Sequence, residues 1–196
     1  MSSLSTLAIS QTLKKKNIPL FTITSFQRLF NIQNTNTAYK AIQRLTNKNI
    51  IQPITHGKYM TTELKPSKFS IANFIYTPSY ISLESALSHY GILPQFPFTI
   101  TSITTKKTTT IQNQTTYHYS HISSKCYWGF QSHQSFIIAS PEKALIDLIY
   151  FHSKGLKNLD IKELDLSLIN KKIFKTYLKK INTPQFQNVI KKLNIC

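Results

Sequence analysis

His118, His121, Cys126 and His133 lie close together in the chain, and imidazole and thiolate are the ligands that zinc prefers. Their spacing argues against a metal centre. In a strand, positions 118 and 121 point to opposite faces, and neither a CxxC pair nor an acidic ligand lies nearby. His118 and His121 are expected on a sheet surface, with Cys126 as a small apolar filler. For hydrolytic chemistry the candidates are Glu84, Glu142, Asp147, Asp160, Glu163 and Asp165, most of which read as helix-start or surface residues. Glu142 and Asp147 fall on different sides of one helix, an arrangement unsuited to a shared metal. No Walker loop and no dinucleotide-binding glycine pattern is present. The sequence therefore predicts a protein that is not an enzyme and has neither metal nor cofactor.

The other available chemistry is cationic. The chain of 196 residues carries 24 Lys+Arg against 7 Asp+Glu, a formal +17, which makes a polyanion the economical partner. From Met1 to Thr62 there is no acid, while Lys14, Lys15, Lys16, Arg28, Lys40, Arg44, Lys48 and Lys58 all fall there. Thr37, Tyr39, Lys40, Gln43, Arg44 and Lys48 share the polar face of one helix, a mixture of groups suited to phosphates and base edges. Lys58, at the tip of the turn that follows, is placed to meet a phosphate.

The elements that must position these residues start with Thr24 and Gln27, spaced as a capping box for a helix with Phe26, Leu29 and Phe30 on its apolar face. After the polar run 31–36, Asn34 or Thr35 caps a second helix that buries Ala38, Ala41, Ile42 and Leu45. Ile50, Ile51 and Ile54, the turn His56-Gly57, and the return strand Lys58, Tyr59 and Met60 then form a small β-wing. Together these read as a winged helix-turn-helix. Leu4, Leu7, Ala8, Gln11 and Thr12 are spaced for a helix ahead of it, ending at Lys14–Lys16.

Residues 63–70 read as a linker, dividing a DNA-binding domain at 1–62 from a mixed α/β domain at 71–196. The second domain opens with β-formers around Phe74, Ile75 and Tyr76. A helix capped by Ser82 follows, with Leu83, Ala86, Leu87 and Tyr90 inward and Gly91 at its end. Strands are predicted at 98–105, 115–122 and 136–139, the first two joined as a hairpin through 106–114 in a half-exposed sheet. Ser140-Pro141-Glu142 starts a helix with Ala144, Leu145, Leu148, Ile149 and His152 on one face. The tail reads as helical, with Asp160 and Glu163 as a capping box and Ile169, Ile173, Tyr177 and Ile181 as its stripe. A last helix starts at Thr183-Pro184, and the lysines from Lys171 to Lys192 form a solvated outer face. Two cysteines, one of them the terminal Cys196, make no disulfide framework. No run reaches the length of a membrane span and no secretory signal is recognisable, so a cytoplasmic protein is expected.

TAYKAIQRL at 37–45, HGKYMT at 56–61, YISLESALSHYGI at 80–92, YHYSHI at 117–122 followed by Trp128-Gly129, and IASPEKALIDLIYF at 138–151 are found here in order. In this combination the chain, from about Leu4 to Leu156, resembles the AbiEi-like antitoxins of bacterial type IV toxin-antitoxin systems. The resemblance implies an α+β protein: an N-terminal winged helix-turn-helix, then a mixed α/β antitoxin-like domain with a helical C-terminal region. It also implies repression of its own operon through promoter inverted repeats, and neutralisation of a nucleotidyltransferase-like toxin without an obligatory stable complex. By position it assigns DNA contact to Thr35, Asn36, Thr37, Tyr39, Lys40, Gln43 and Arg44, with His56 and Lys58 on the wing. The family pattern tends to have a glycine before the hydrophobic wing pair, where this chain has Asn49.

Two other functions fit parts of the pattern. A winged-helix regulator of other genes would share the DNA-reading residues and use the α/β domain to sense a ligand or to dimerise. An RNA-binding protein would use Tyr117, Tyr119, Tyr127 and Trp128 as stacking surfaces, although burial accounts for most of those aromatics.

Overall fold

The computed structural model describes residues 5–193, so Leu4 and Cys196 lie outside the described residues. The chain forms two compact units, Met1–Ile75 and Tyr76–Cys196. Among the described residues there are eight α-helices and two sheets, one sheet in each unit, which makes the protein α+β.

In the first unit, α1 (Thr6–Lys15) starts at Ser5, whose hydroxyl accepts from the Ala8 N–H at 3.2 Å. Its buried residues are Ile9 and Leu13, whereas Leu7 is exposed. The expected stripe through Leu7, Ala8, Gln11 and Thr12 is therefore displaced, because the side of α1 that meets α3 (Thr35–Asn47) carries the Ile9/Leu13 pair. A short strand that the sequence did not announce, β1 (Leu20–Thr22), runs directly into α2 (Ile23–Phe30). The cap of α2 is Thr22, not Thr24. The Thr22 hydroxyl accepts from the Ser25 N–H at 3.1 Å, and the Ser25 hydroxyl accepts from the Thr22 N–H at 2.9 Å. Thr22 still pairs with Lys58 in the sheet and so holds the extended backbone a cap needs, while Thr24 is already inside the helix.

After α3, β2 (Ile51–Thr55) and β3 (Lys58–Thr61) form a hairpin through His56 and Gly57, where φ is +68°. The sheet order is β1-β3-β2. Phe21, Phe26, Ala38, Ala41, Ile42, Leu45, Ile51 and Tyr59 close the core with Ile9 and Leu13. Asparagine takes the place usually filled by glycine at the ends of the first three helices: Asn17, Asn31 and Asn49 have φ of 49°, 52° and 54°. A short amide side chain tolerates that left-handed conformation better than most residues, so Asn49 accommodates a backbone turn where glycine would otherwise be favoured.

The expected linker is only partly irregular. Helix α4 (Lys68–Ile75) begins where the Ser67 hydroxyl accepts from the Ser70 N–H at 3.1 Å, and it buries Ser70, Ile71, Ala72 and Ile75 within the first unit. The unit boundary thus falls after Ile75, and Phe74 and Ile75 are helical.

The second unit is built on a six-stranded sheet ordered β6-β7-β5-β4-β9-β8. Its strands are β4 (Ser79–Ile81), β5 (Thr99–Thr104), β6 (Thr109–Gln112), β7 (Thr116–His121), β8 (Phe130–His133) and β9 (Phe136–Ala139). β5 and β7 pair in parallel, with Thr99 opposite Thr116, and are not a hairpin; the hairpin is β6–β7, formed within the stretch that reads as a connection. β5 is consequently interior and buried along almost its whole length, contrary to a half-exposed sheet. α5 (Leu83–His89) and α6 (Pro141–Ser153) pack together, and α6 also meets α7 (Lys171–Leu178) and α8 (Pro184–Leu193).

α6 starts as predicted, with the Ser140 hydroxyl accepting from the Lys143 N–H at 3.2 Å, but every residue from Glu142 to Phe151 is buried. Asp160 caps only a 3-10 turn at 161–163, and α7 buries Phe174 and Leu178, leaving Ile173 exposed. The chain leaves helical geometry between these turns, so Ile169 and Ile181 are buried from flanking positions and do not continue a helical stripe.

Candidate nucleic-acid interface

α3 is an amphipathic helix whose cap also ties down its N-terminus. The Asn34 side-chain oxygen accepts from the N–H groups of Asn36 at 2.8 Å and Thr37 at 3.2 Å, and Gln27 on α2 donates to the Thr35 hydroxyl at 3.4 Å. With Ala38, Ala41, Ile42 and Leu45 locked into the core, the opposite side of α3 must face outward. Thr35, Asn36, Thr37, Tyr39, Lys40, Gln43, Arg44 and Lys48 are all exposed there. Lys40, Arg44 and Lys48 make no ion pair among the described residues. An open groove of about 580 Å³ runs between this side of α3 and the hairpin, lined by Asn36, Tyr39, Lys40, Gln43, Pro53 and Tyr59. Burial, and then the neighbouring Tyr39, raise the Tyr59 phenol pKa, so Tyr59 presents a neutral wall to the groove.

The hairpin contributes unequally. His56 is exposed at the turn. Lys58, expected at the tip, instead donates to the carbonyls of Phe74 at 2.9 Å and Ile75 at 2.6 Å, and lies over the Phe74 ring. It therefore serves as a cation at the C-terminus of α4, where the helix dipole favours one. This role is not legible in the sequence, where 63–70 reads as a linker and nothing marks the end of α4 as the partner of Lys58. The one acid of the first unit, Glu63, pairs with Lys14 at the surface.

In the second unit the histidines do not converge. His118 Nδ1 bonds the Thr110 hydroxyl at 2.9 Å and His121 Nδ1 the Lys106 carbonyl at 2.9 Å, while His133 packs against His89 and Phe136. No group of three His, Cys, Asp or Glu among the described residues is placed to hold a metal ion. Tyr117 and Tyr119 are buried, and so they form no open stacking surface for bases.

Two of the carboxylates are interior. Glu142 is buried and accepts from the Asn170 N–H at 3.1 Å. Asp147 is fully buried; it accepts from the hydroxyls of Ser82 at 2.7 Å and Tyr80 at 3.0 Å, and pairs with the equally buried Lys143 ammonium. Ser82 stands at the start of α5 but its hydroxyl is spent on Asp147, not on the helix. Burial pushes the Asp147 carboxyl up, against the opposing pull of Lys143 and the two hydroxyls; burial and Asp147 push the Tyr80 phenol well up. The Lys143 ammonium also lies over the Trp128 ring at 4.7 Å. Gly129 has φ +76°, and a Cβ there would stand 2.9 Å from Lys143 Cγ, so only glycine fits beside this lysine. A separate cleft of about 280 Å³ in this unit is lined by Glu84, Phe96, Phe98, Leu148, Asp160 and Glu163 among others.

No protein-family model matches the chain, and no curated protein matches it. No helix among the described residues is long and apolar enough to cross a membrane.

Proposed function

We propose that this protein is a DNA-binding antitoxin of a type IV toxin-antitoxin system that represses its own operon and counters a nucleotidyltransferase-like toxin. The observation that carries the DNA-binding part is the outward side of α3. Its cationic, amide and hydroxyl side chains are exposed and without acids, next to a hairpin, in a unit whose lone acid is already paired. In this reading the first unit is a winged helix-turn-helix: α3 enters the major groove, Lys40, Gln43 and Arg44 reach base edges or phosphates, and Thr35, Asn36, Thr37 and Tyr39 lie against the backbone. His56 approaches the neighbouring phosphates from the turn. Lys58 contributes by fixing the hairpin to α4. The antitoxin role rests on the resemblance of the segments at 80–92, 117–122 and 138–151. The protein acts without catalysis, in the cytoplasm.

The cleft of the second unit supports a second reading, a winged-helix regulator whose α/β unit senses a ligand. Gel-shift binding to the duplex upstream of the gene, against a scrambled duplex of equal length across a salt series, tests the shared DNA-binding step. Discrimination that persists as salt rises is expected, with affinity falling at a log-log slope of roughly 0.9 per phosphate contact. Equal affinity for both duplexes at every salt concentration would overturn sequence-selective binding. Neutralisation of the toxin encoded beside the gene then separates antitoxin from regulator.

A further inference from the structure

The acids of this chain are few and unevenly placed. Of the 7 in the sequence, Glu63 belongs to the first unit, and Glu142 and Asp147 are buried. The remaining four gather in one region: Glu84, Asp160 and Glu163 line the cleft of about 280 Å³, and Asp165, whose N–H donates to the Ile92 carbonyl at 2.8 Å, follows directly. No Lys or Arg is among the lining residues. Glu84 Oε1 accepts from Lys157 at 2.8 Å, but Glu84 Oε2 is buried with no hydrogen-bond partner. The carboxylates left open to an incoming cation are Asp160 and Glu163, which are exposed and make no ion pair among the described residues. The rim is apolar and open: Phe96 is 87% and Phe98 100% exposed, held in a loop that contains Pro94 and Pro97. Two neighbouring phenylalanines left in water beside an apolar floor, on a surface otherwise dominated by lysine, mark an interaction surface.

We propose that this cleft docks a basic segment of a partner protein, with a Lys or Arg side chain directed to Asp160 and Glu163 and an adjacent apolar side chain seated on Phe96 and Phe98. Charge complementarity selects this occupant. The cleft is the acidic region of a chain with formal charge +17, so a cationic segment gains there what it would lose elsewhere on the surface. A second copy of the chain fits less well, since a two-fold contact would set carboxylate against carboxylate and bring two strongly cationic molecules together. The proposal is independent of DNA binding by the first unit.

Fluorescence anisotropy on the full chain tests it, using a fluorescein-labelled peptide of alternating leucine and arginine and the same peptide with glutamine replacing arginine. The arginine peptide is expected to bind and the glutamine peptide not to. Glu163→Gln with Asp160→Asn, and separately Phe96→Ser with Phe98→Ser, should each weaken binding by about tenfold or more. These side chains lie at the surface, and an unchanged thermal melt identifies each variant as folded. Absent binding, or binding equal in wild type and both variants, would overturn the proposal. Full displacement of the peptide by spermidine alone would reassign the cleft to small organic cations. Self-association in sedimentation equilibrium that disappears in the variants would reassign it to a second copy.

Discussion

Replacing the buried pair Lys143 and Asp147, singly and together, tests whether the second unit is organised around an interior charge. Asp147→Leu removes the acceptor of three donors: it strands the Lys143 ammonium, which keeps only the Tyr80 hydroxyl at 3.1 Å and ring faces, and it orphans the Ser82 hydroxyl. Breaking a buried pair costs about 3 to 5 kcal/mol, and an unsatisfied buried hydroxyl adds about 1 to 3 kcal/mol. That sum is a large share of the 5 to 15 kcal/mol on which a typical domain stands, roughly. Lys143→Met should cost less, about 3 kcal/mol, because Asp147 keeps two hydroxyl donors and can take up a proton. The double variant removes both charges and leaves chiefly hydroxyls unpaired, so it should be more stable than Asp147→Leu alone, with a coupling of about 3 kcal/mol. Trp128 is the only tryptophan in the chain and lies against Lys143, so its fluorescence during urea unfolding reports this unit. Additive costs, with the double variant the least stable of the three, would refute the coupling and the geometry behind it.

Three further outcomes follow from particular contacts. Arg44→Ala and Lys40→Ala should each weaken operator binding by about 1 to 3 kcal/mol where the side chain reads a base, with the thermal melt unchanged; wild-type affinity in both would refute the proposed face. Lys58→Met should instead destabilise the first unit by about 1.5 to 3 kcal/mol through loss of two charge-assisted bonds to α4, leaving the salt slope of DNA binding unaltered. A slope reduced as much as in Lys40→Ala would place Lys58 on a phosphate. His118 has its pKa lowered, first by burial and then by Lys157, so the folded state prefers neutral imidazole. Its contribution to stability is full above the unfolded value of about 6.5, begins to be lost as pH falls below that value, and is gone once pH has fallen through the lower folded-state value. His118→Gln should therefore lose less melting temperature than wild type between about pH 7.5 and 5.5, as read by calorimetry.

Local sequence determined those elements whose signal is local. The Asn34 cap and the spacing of Ala38, Ala41, Ile42 and Leu45 define α3 and, by exclusion, its exposed side, and His56-Gly57 defines the hairpin turn. Ser140-Pro141 likewise fixed the start of α6. What only the tertiary structure decided depends on partners distant in the chain. Thr22 caps α2 because β1 pairs with β3, a strand far along the sequence; the parallel β5–β7 pairing cannot be read from either strand alone. α6 is covered on every side by α5, α7, α8 and the sheet, so no polar face betrays it, and Asp147, grouped in the sequence with helix-start and surface acids, is interior because the fold brings Tyr80 and Ser82 to it beside Lys143. Lys58 illustrates the same limit at the candidate interface. Its type and position suggest a phosphate, yet α4 supplies two carbonyls at hydrogen-bonding distance, and charge goes where the nearest well-placed acceptors are.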